Sequence, residues 1–477
     1  MSSTSGPAPR LACRPLPQER LLLPSVHLFD PAHGVDRVAD LLIDGGAIAA
    51  LGDDLVAPVG VEVLTDLQGC WVFPGFVDPH AHLRTPGQEY KEDVISASRA
   101  AAAGGFVVVV GMANTEPPVD VGPLASWVLD QAAVGADVLV GQVGAVSRGL
   151  EGQALAELRE LCDAGVVAFS DDGRPVNSAN LLLHALRYLR RTGRPVLLHL
   201  EDRSLSAAGV IHEGRWSARL GLRGIPTASE TGPLARDLEI VAYAAREEER
   251  QAEADGGGPR SMADGQAARP PLVHFQHLSC AQSVHLVRAA KNDGLPISCE
   301  VTPHHLVLTD EAVQSFDQSL KVNPPLRCQE ARRALVAALA DGTVDCVGTD
   351  HAPHAPHEKE VPFEEAPFGT VGLETAFAVL HDALIVPGDV SLGRLIDAMS
   401  SAPSRVLRVE APRLEVGAPA RFCVADLDEE WTVTTADLRG KCRNSAFLGR
   451  KVRGRVVLTV VDGARRFSRE RREAGRV

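Results

Sequence analysis

The chain is predicted to be an α/β protein: a closed (β/α)8 barrel over residues 76–401, with a small β-rich domain composed of segments 21–75 and 402–465. Between about residues 76 and 400, short apolar runs of strand character alternate with segments of helical composition, and that alternation builds a parallel sheet. About eight such units over some 250–330 residues fit a closed barrel, with an open doubly wound sheet as the second architecture. Both ends have a different texture, short apolar runs separated by Gly- and Asp-containing turns, which read as antiparallel strands.

In order along the chain, residues 1–20 are rich in Ser, Pro and Arg and are expected to form a flexible tail. Apolar runs at 21–23, 41–43 and 47–51 give the first strands of the composite domain. The run Gly75-Phe76-Val77 opens the barrel as a strand buried on both faces. Helix and strand then alternate: 96–103 and 106–110, 123–133 and 138–140, 154–164 and 166–169, 180–191 and 196–200, 234–246 and 272–275, 283–290 and 297–301, 331–340 and 344–348. The helix at 180–191 carries Leu182, Leu183, Leu186 and Leu189 at helical spacing. Residues 247–271, with Asp255-Gly-Gly-Gly-Pro, read as a flexible insertion. Runs at 420–426 and 455–461 return to β texture, and residues 466–477 form an Arg-rich tail.

A net charge of −14 argues against a nucleic-acid or membrane-surface partner. The nine cysteines are scattered and never fall in a C-x-x-C pair, which points to reduced thiols and a cytoplasmic location. No run is apolar enough for a signal peptide or a membrane span.

The unusual polar residues fall where predicted strands run out. His80 and His82 are two apart, so on an extended strand they project to one side, where two imidazoles can hold one zinc-like ion. Arg84 continues the alternation if the chain stays extended and would set a charged fork beside the ion. Other strand ends carry Ser170-Asp171-Asp172-Gly173, His199 with Glu201, His274 with His277, and Asp350-His351-Ala352-Pro353-His354. In a barrel these ends gather on the C-terminal face, where such folds keep their chemistry. The donors exceed what one tetrahedral ion needs, so a two-metal site is expected, and two close ions need a bridging carboxylate. No lysine lies between Lys91 and Lys291 to supply a carboxylated bridge, which leaves Asp171 or Asp172.

The run DPHAHLRTPGQEYKED at 78–93 resembles the metal-binding signature of dihydroorotases, members of the amidohydrolase superfamily. GTDHAPHAPHEKE and APFGTVGLETAF resemble their second signature. MANTEPP, AFSDDG, HLED, HFQHLS, EVTPHHL and KVNPPLR follow in the family's order, so the resemblance covers about residues 35–465 and looks most like the class I bacterial type. It implies two Zn²⁺ ions: His80, His82 and Asp350 on one, His199 and His277 on the other, Asp172 and a hydroxide between them. Substrate contacts are implied at His82, Arg84, Asn114, Asn323 and His354, with the backbone at Phe368 and Gly369 closing over the ring. Ala113 and Thr85 depart from the family's usual residues, and the first could loosen the turn that carries Asn114.

The implied reaction is reversible hydrolysis of (S)-dihydroorotate to N-carbamoyl-L-aspartate in pyrimidine biosynthesis, with Asp350 as the proton-transferring group. Residues 352–367 read either as a mobile cover over the site or as a static loop. Another cyclic amidase (hydantoinase, dihydropyrimidinase or allantoinase) and a non-catalytic partner of aspartate transcarbamoylase are the competing readings. The family resemblance allows a complex with aspartate transcarbamoylase and a homodimer as assemblies.

Overall fold

The computed structural model describes residues 7–254 and 271–469. Its centre is a parallel barrel whose strands follow one another around the ring in chain order. They are β1 (Phe76–Ala81), β2 (Phe106–Gly111), β3 (Leu139–Gly144), β4 (Ala168–Phe169), β5 (Val196–Leu198), β6 (Val273–Phe275), β7 (Ile297–Val301) and β8 (Cys346–Val347). The open doubly wound sheet is ruled out by closure between β8 and β1. Asp350 N donates to His80 O at 2.9 Å and His82 N to His351 O at 2.8 Å. Thr349 N adds a bond to the buried Asp78 carboxylate at 2.9 Å. Closure therefore also sets Asp350 against His80 and His82.

The main helices between strands are α1 (Val94–Ala103), α2 (Gly122–Gly135), α3 (Leu158–Ala164), α4 (Ala179–Leu189), α5 (Ala228–Ala254), α6 (Ala281–Asn292) and α7 (Gln329–Ala340). α1 starts where the Asp93 side chain accepts from Ser96 N and the Ser96 side chain returns the bond, a capping box. Its Ala97, Ala100, Ala101 and Ala102 are small enough to lie close on the barrel. α4 starts at the Ser178 cap and buries Leu181, Leu182, Leu186 and Leu189, while Leu183 is only half-buried. α5 does not stop at Arg246. It runs on through Glu247, whose carboxylate meets the Arg187 guanidinium at 2.8 Å on both sides of the fork. The helix continues to Ala254, and residues 255–270 of the expected insertion lie outside the described residues.

A second sheet is built from both chain ends. Its strands run Ala464–Ser468, Lys451–Val461, Phe422–Thr432, Trp71–Pro74, Leu21–Asp30, Val35–Asp44 and Ala47–Gly52 in spatial order, with Glu62–Val63 beside Leu21–Asp30. Trp71–Pro74 joins the two halves, antiparallel to Phe422–Thr432 and parallel to Leu21–Asp30. It passes through Gly75 directly into β1. A Cβ at Gly75 would lie 2.3 Å from the Val107 side chain, so only glycine allows the two sheets to meet there.

Residues 7–20 are not a loose tail. Ala12 exchanges backbone bonds with Val140 at 3.0 and 2.8 Å, Arg10 N donates to Gly165 O, and Arg14 N to Ala136 O. β4 is short and pairs with β3 only from Val143 onward, so the Val140 amide and carbonyl are left for this segment to satisfy. At the other end, Arg466–Ser468 belong to the last strand, and Arg466 Nη1 donates to Arg14 O at 3.1 Å. Residues 470–477 lie outside the described residues.

Phe76 ties the sheets together, packing on Phe73, Phe106 and Phe377 at ring separations of 6.4, 5.8 and 5.5 Å with no exposed surface. Phe76→Ala is expected to lower the unfolding free energy by about 3–5 kcal/mol. A chemical denaturation midpoint unchanged from the parent would contradict this.

Candidate metal centre

The six expected ligands converge at the C-terminal mouth of the barrel. His80 lies in β1 and His82 just past it, His199 follows β5, His277 lies two residues beyond β6, and Asp172 and Asp350 three residues beyond β4 and β8. None is more than 8% exposed, so their interactions are weakly screened. Asp172 is at the middle. Its Oδ1 lies 3.5 Å from His80 Nε2, 3.5 Å from His199 Nδ1 and 3.8 Å from His277 Nε2, while Oδ2 lies 3.5 Å from His82 Nε2. Asp350 Oδ1 sits 3.1 Å from His82 Nε2 and 3.6 Å from His80 Nε2. His199 Nδ1 and His277 Nε2 are 2.8 Å apart.

This arrangement fits divalent ions. Asp172 Oδ1 is buried with no hydrogen-bond partner although three imidazole nitrogens face it, and nitrogen and carboxylate oxygen are the donors zinc takes. His80, Asp172 and His277 form one potential ligand group, and His80, His82 and Asp350 another. Backbone strain marks the same places: His277 and Asp350 take positive φ of 33° and 48°, as does Arg84 at 59°. Arg84 therefore reaches the mouth through a turn and not by continued strand alternation.

Burial alone would lower His80, but the carboxylates of Glu300, Asp172 and Asp350 outweigh it and hold its pKa well above the ordinary value. His199 is likewise held up to about 9, against burial, by Asp172 and Glu201. Asp172 and Asp350 would be raised by burial, yet the surrounding imidazoles drive both well below the carboxylate range.

The two adjacent aspartates face different surroundings. Asp171 turns away and braces a loop, accepting from Val146 N at 2.8 Å, Ser147 N at 3.0 Å and the Ser147 hydroxyl. Burial raises its pKa to about 6. His274 also leaves the mouth and bonds Ser298 and Glu300 inside the barrel.

Asn114 sits within the ligand cluster. Its Nδ2 donates to Asp172 Oδ2 at 3.2 Å and its Oδ1 accepts from His82 Nδ1 at 3.0 Å. A carboxylate only accepts, so the amide orientation is fixed and His82 keeps Nε2 free toward the site. Both polar ends of Asn114 therefore have a partner in the ligand cluster.

His354 Nε2 donates to Phe368 O at 2.8 Å, which leaves Arg84 Nη2, 3.4 Å away, without an acceptor on that ring. Burial, with Arg84 and Lys359 nearby, pushes His354 down to about 2, so the ring is neutral. Gly369 N donates to Lys321 O and its carbonyl accepts from Asn444, so this backbone is engaged in holding loops together. Asn323 is half-buried at the turn before Pro324. Two groups escaped sequence reasoning. Glu300, in EVTPHHL, bonds His80 Nδ1 at 2.6 Å. His304 is buried with an unpartnered Nε2, and burial together with His305 lowers its pKa well below the ordinary value.

The Dihydro-orotase-like family profile matches residues 69–247. A dihydroorotase of Citrifermentans bemidjiense is 41% identical over 443 residues, covering 93% of this chain and 98% of its own. One from Anaeromyxobacter dehalogenans strain 2CP-1 is 43% identical over 445 residues, covering 93% and 96%. The chain belongs to the dihydroorotase family. Among solved structures, an L-hydantoinase (dihydropyrimidinase) from Arthrobacter aurescens aligns over 94% of this chain and 96% of its own, with a TM-score of 0.79 and 24% identity. A dihydropyrimidinase from Brevibacillus agri aligns over 94% and 95%, with a TM-score of 0.76 and 22% identity. Those two likenesses establish the barrel and its terminal sheet as a shared fold. Within the dihydroorotase family reading, no helix among the described residues is long and apolar enough to cross a membrane.

Proposed function

We propose that this chain is a zinc-dependent dihydroorotase that opens the ring amide of (S)-dihydroorotate to N-carbamoyl-L-aspartate and closes it in the reverse direction, in pyrimidine biosynthesis. The observation that carries this reading is an unclaimed guanidinium beside a histidine cluster centred on one carboxylate. Arg84 has no carboxylate in ion-pair range among the described residues, and its firm partner is Pro353 O at 3.2 Å. A substrate carboxylate supplies the missing acceptor.

His80, His82 and Asp350 would hold one zinc, His199 and His277 the other, with Asp172 between them. Such ions supply a Lewis acid and a water ionised near neutral pH. The chain's own groups do the rest. Arg84 binds the ring carboxylate and fixes the amide over the cluster. His354 pins the Phe368–Gly369 turn beside Arg84. Asp350, anionic and buried, takes the proton of the attacking water and returns it to the departing ring nitrogen as the carbon–nitrogen bond breaks. Asn114 keeps His82 and Asp172 in their working orientations.

All six expected ligand residues are present, which favours a working enzyme over a non-catalytic relative. Nine free cysteines fit a reducing, cytoplasmic setting. Aspartate transcarbamoylase and a second copy of the chain are the partners this reading brings with it.

The test is turnover of dihydroorotate against dihydrouracil, which offers the same cyclic amide without the carboxylate. The parent is expected to prefer dihydroorotate, and Arg84→Met to erase roughly ten- to hundredfold of that preference, the worth of a charge-assisted hydrogen bond. Equal turnover of both compounds by the metal-loaded parent would sink the assignment.

A further inference from the structure

Beneath the ligand cluster a buried chain of hydrogen bonds crosses the barrel interior. Ser298 Oγ lies 2.8 Å from His274 Nδ1, His274 Nε2 lies 3.1 Å from Glu300 Oε2, and Glu300 Oε1 lies 2.6 Å from His80 Nδ1. The amide of His277, another expected ligand, also points at Glu300 Oε1 from 3.4 Å. Glu300 and His274 have no exposed surface. Among the described residues no lysine or arginine pairs with Glu300; its ion-pair partners are the two imidazoles. An apolar side chain of similar volume would cost the fold less than a buried carboxylate, so packing does not account for this residue.

The barrel also makes room for it. A Cβ at Gly348, the residue after β8, would lie 2.5 Å from Glu300 Oε2, so the carboxylate fits only because that position has no side chain. Gln276 is another polar group near His80. Its Nε2 is 3.2 Å from Nδ1 and 3.3 Å from Nε2 of the ring. Glu300 Oε1 approaches Nδ1 more closely than this amide does, at 2.6 Å. Glu300 is therefore the stronger partner of Nδ1.

We propose that Glu300 is a positioning residue of the metal centre: by accepting the Nδ1 proton it fixes the tautomer and orientation of His80, so that Nε2 faces Asp172 and Asp350, while His274 and Ser298 hold the carboxylate in place. A carboxylate behind a ligating imidazole fixes the ring and raises its basicity as a donor. The inference rests on the metal-centre reading and not on the identity of the substrate.

The test uses the full chain, stripped and reloaded with Co²⁺, whose visible spectrum reports ligand geometry. For Glu300→Gln, which keeps the shape and removes the charge, Co²⁺ affinity measured against a competing chelator is expected to fall roughly 10- to 100-fold, with an altered spectrum and a loss in kcat exceeding any change in KM. Parent-like affinity together with an unchanged spectrum would overturn the proposal whatever happens to thermal stability. If that variant does not fold, His274→Asn decides in its place. It retains a polar group for Ser298 and drops the bond to Glu300, so reduced affinity supports the proposal and parent-like affinity and spectrum overturn it. Absence of dihydroorotate turnover in the parent would leave the Co²⁺ readouts intact, so the two readings fail separately.

Discussion

Asp350→Asn is expected to lower kcat for ring opening by about 10²–10⁴-fold, the range for losing a positioned general acid–base group. The substitution keeps side-chain size and one oxygen toward His82 Nε2, now 3.1 Å away, but the amide cannot take up the proton of the attacking water. Asparagine also suits the backbone here. Asp350 takes φ of 48°, a region in which Asn is enriched among non-glycine residues, so the fold and the β8–β1 closure should survive. Metal content and kcat measured on the same sample separate the two ways of losing activity. Near-parent metal with collapsed kcat assigns the proton transfer to Asp350. Near-parent metal with near-parent kcat would remove it from the mechanism.

Much of this centre is legible in the sequence because it depends on local rules. His80 and His82 share a side because strand residues two apart do, and their rings sit 5.6 Å apart. Asp172, His199, His277 and Asp350 each follow a short apolar run, and a barrel of parallel strands brings such positions to one mouth. What escaped depends on contacts between distant segments. The Glu300 bond to His80 spans 220 residues and the Asn114 bond to Asp172 spans 58, and neither residue's type announces its partner. Arg84 reaches the mouth by a left-handed turn that strand periodicity does not foresee. The docking of residues 7–20 depends on the shortness of β4, a property of the sheet and not of the tail.

The bridging assignment is open to the sharpest contrast, because two adjacent aspartates do unrelated work. Asp172→Asn is expected to lower bound metal to one ion or none per chain and to abolish measurable turnover. Its Oδ1 faces three imidazole nitrogens within 3.8 Å. Replacing it removes the negative charge that offsets two cations, and a neutral amide is a poor bridge between them. Asn114 compounds the effect: its Nδ2 would lose a charged acceptor, loosening the grip that also orients His82. Asp171→Asn is the matched control. That carboxylate holds two backbone amides and a hydroxyl of the Val146–Ser147 loop, so its loss should cost about 1–3 kcal/mol of stability while metal stoichiometry stays at the parent level. Metal analysis of the two proteins side by side decides the assignment. If Asp171→Asn sheds metal and Asp172→Asn keeps both ions, the bridge has been placed on the wrong residue.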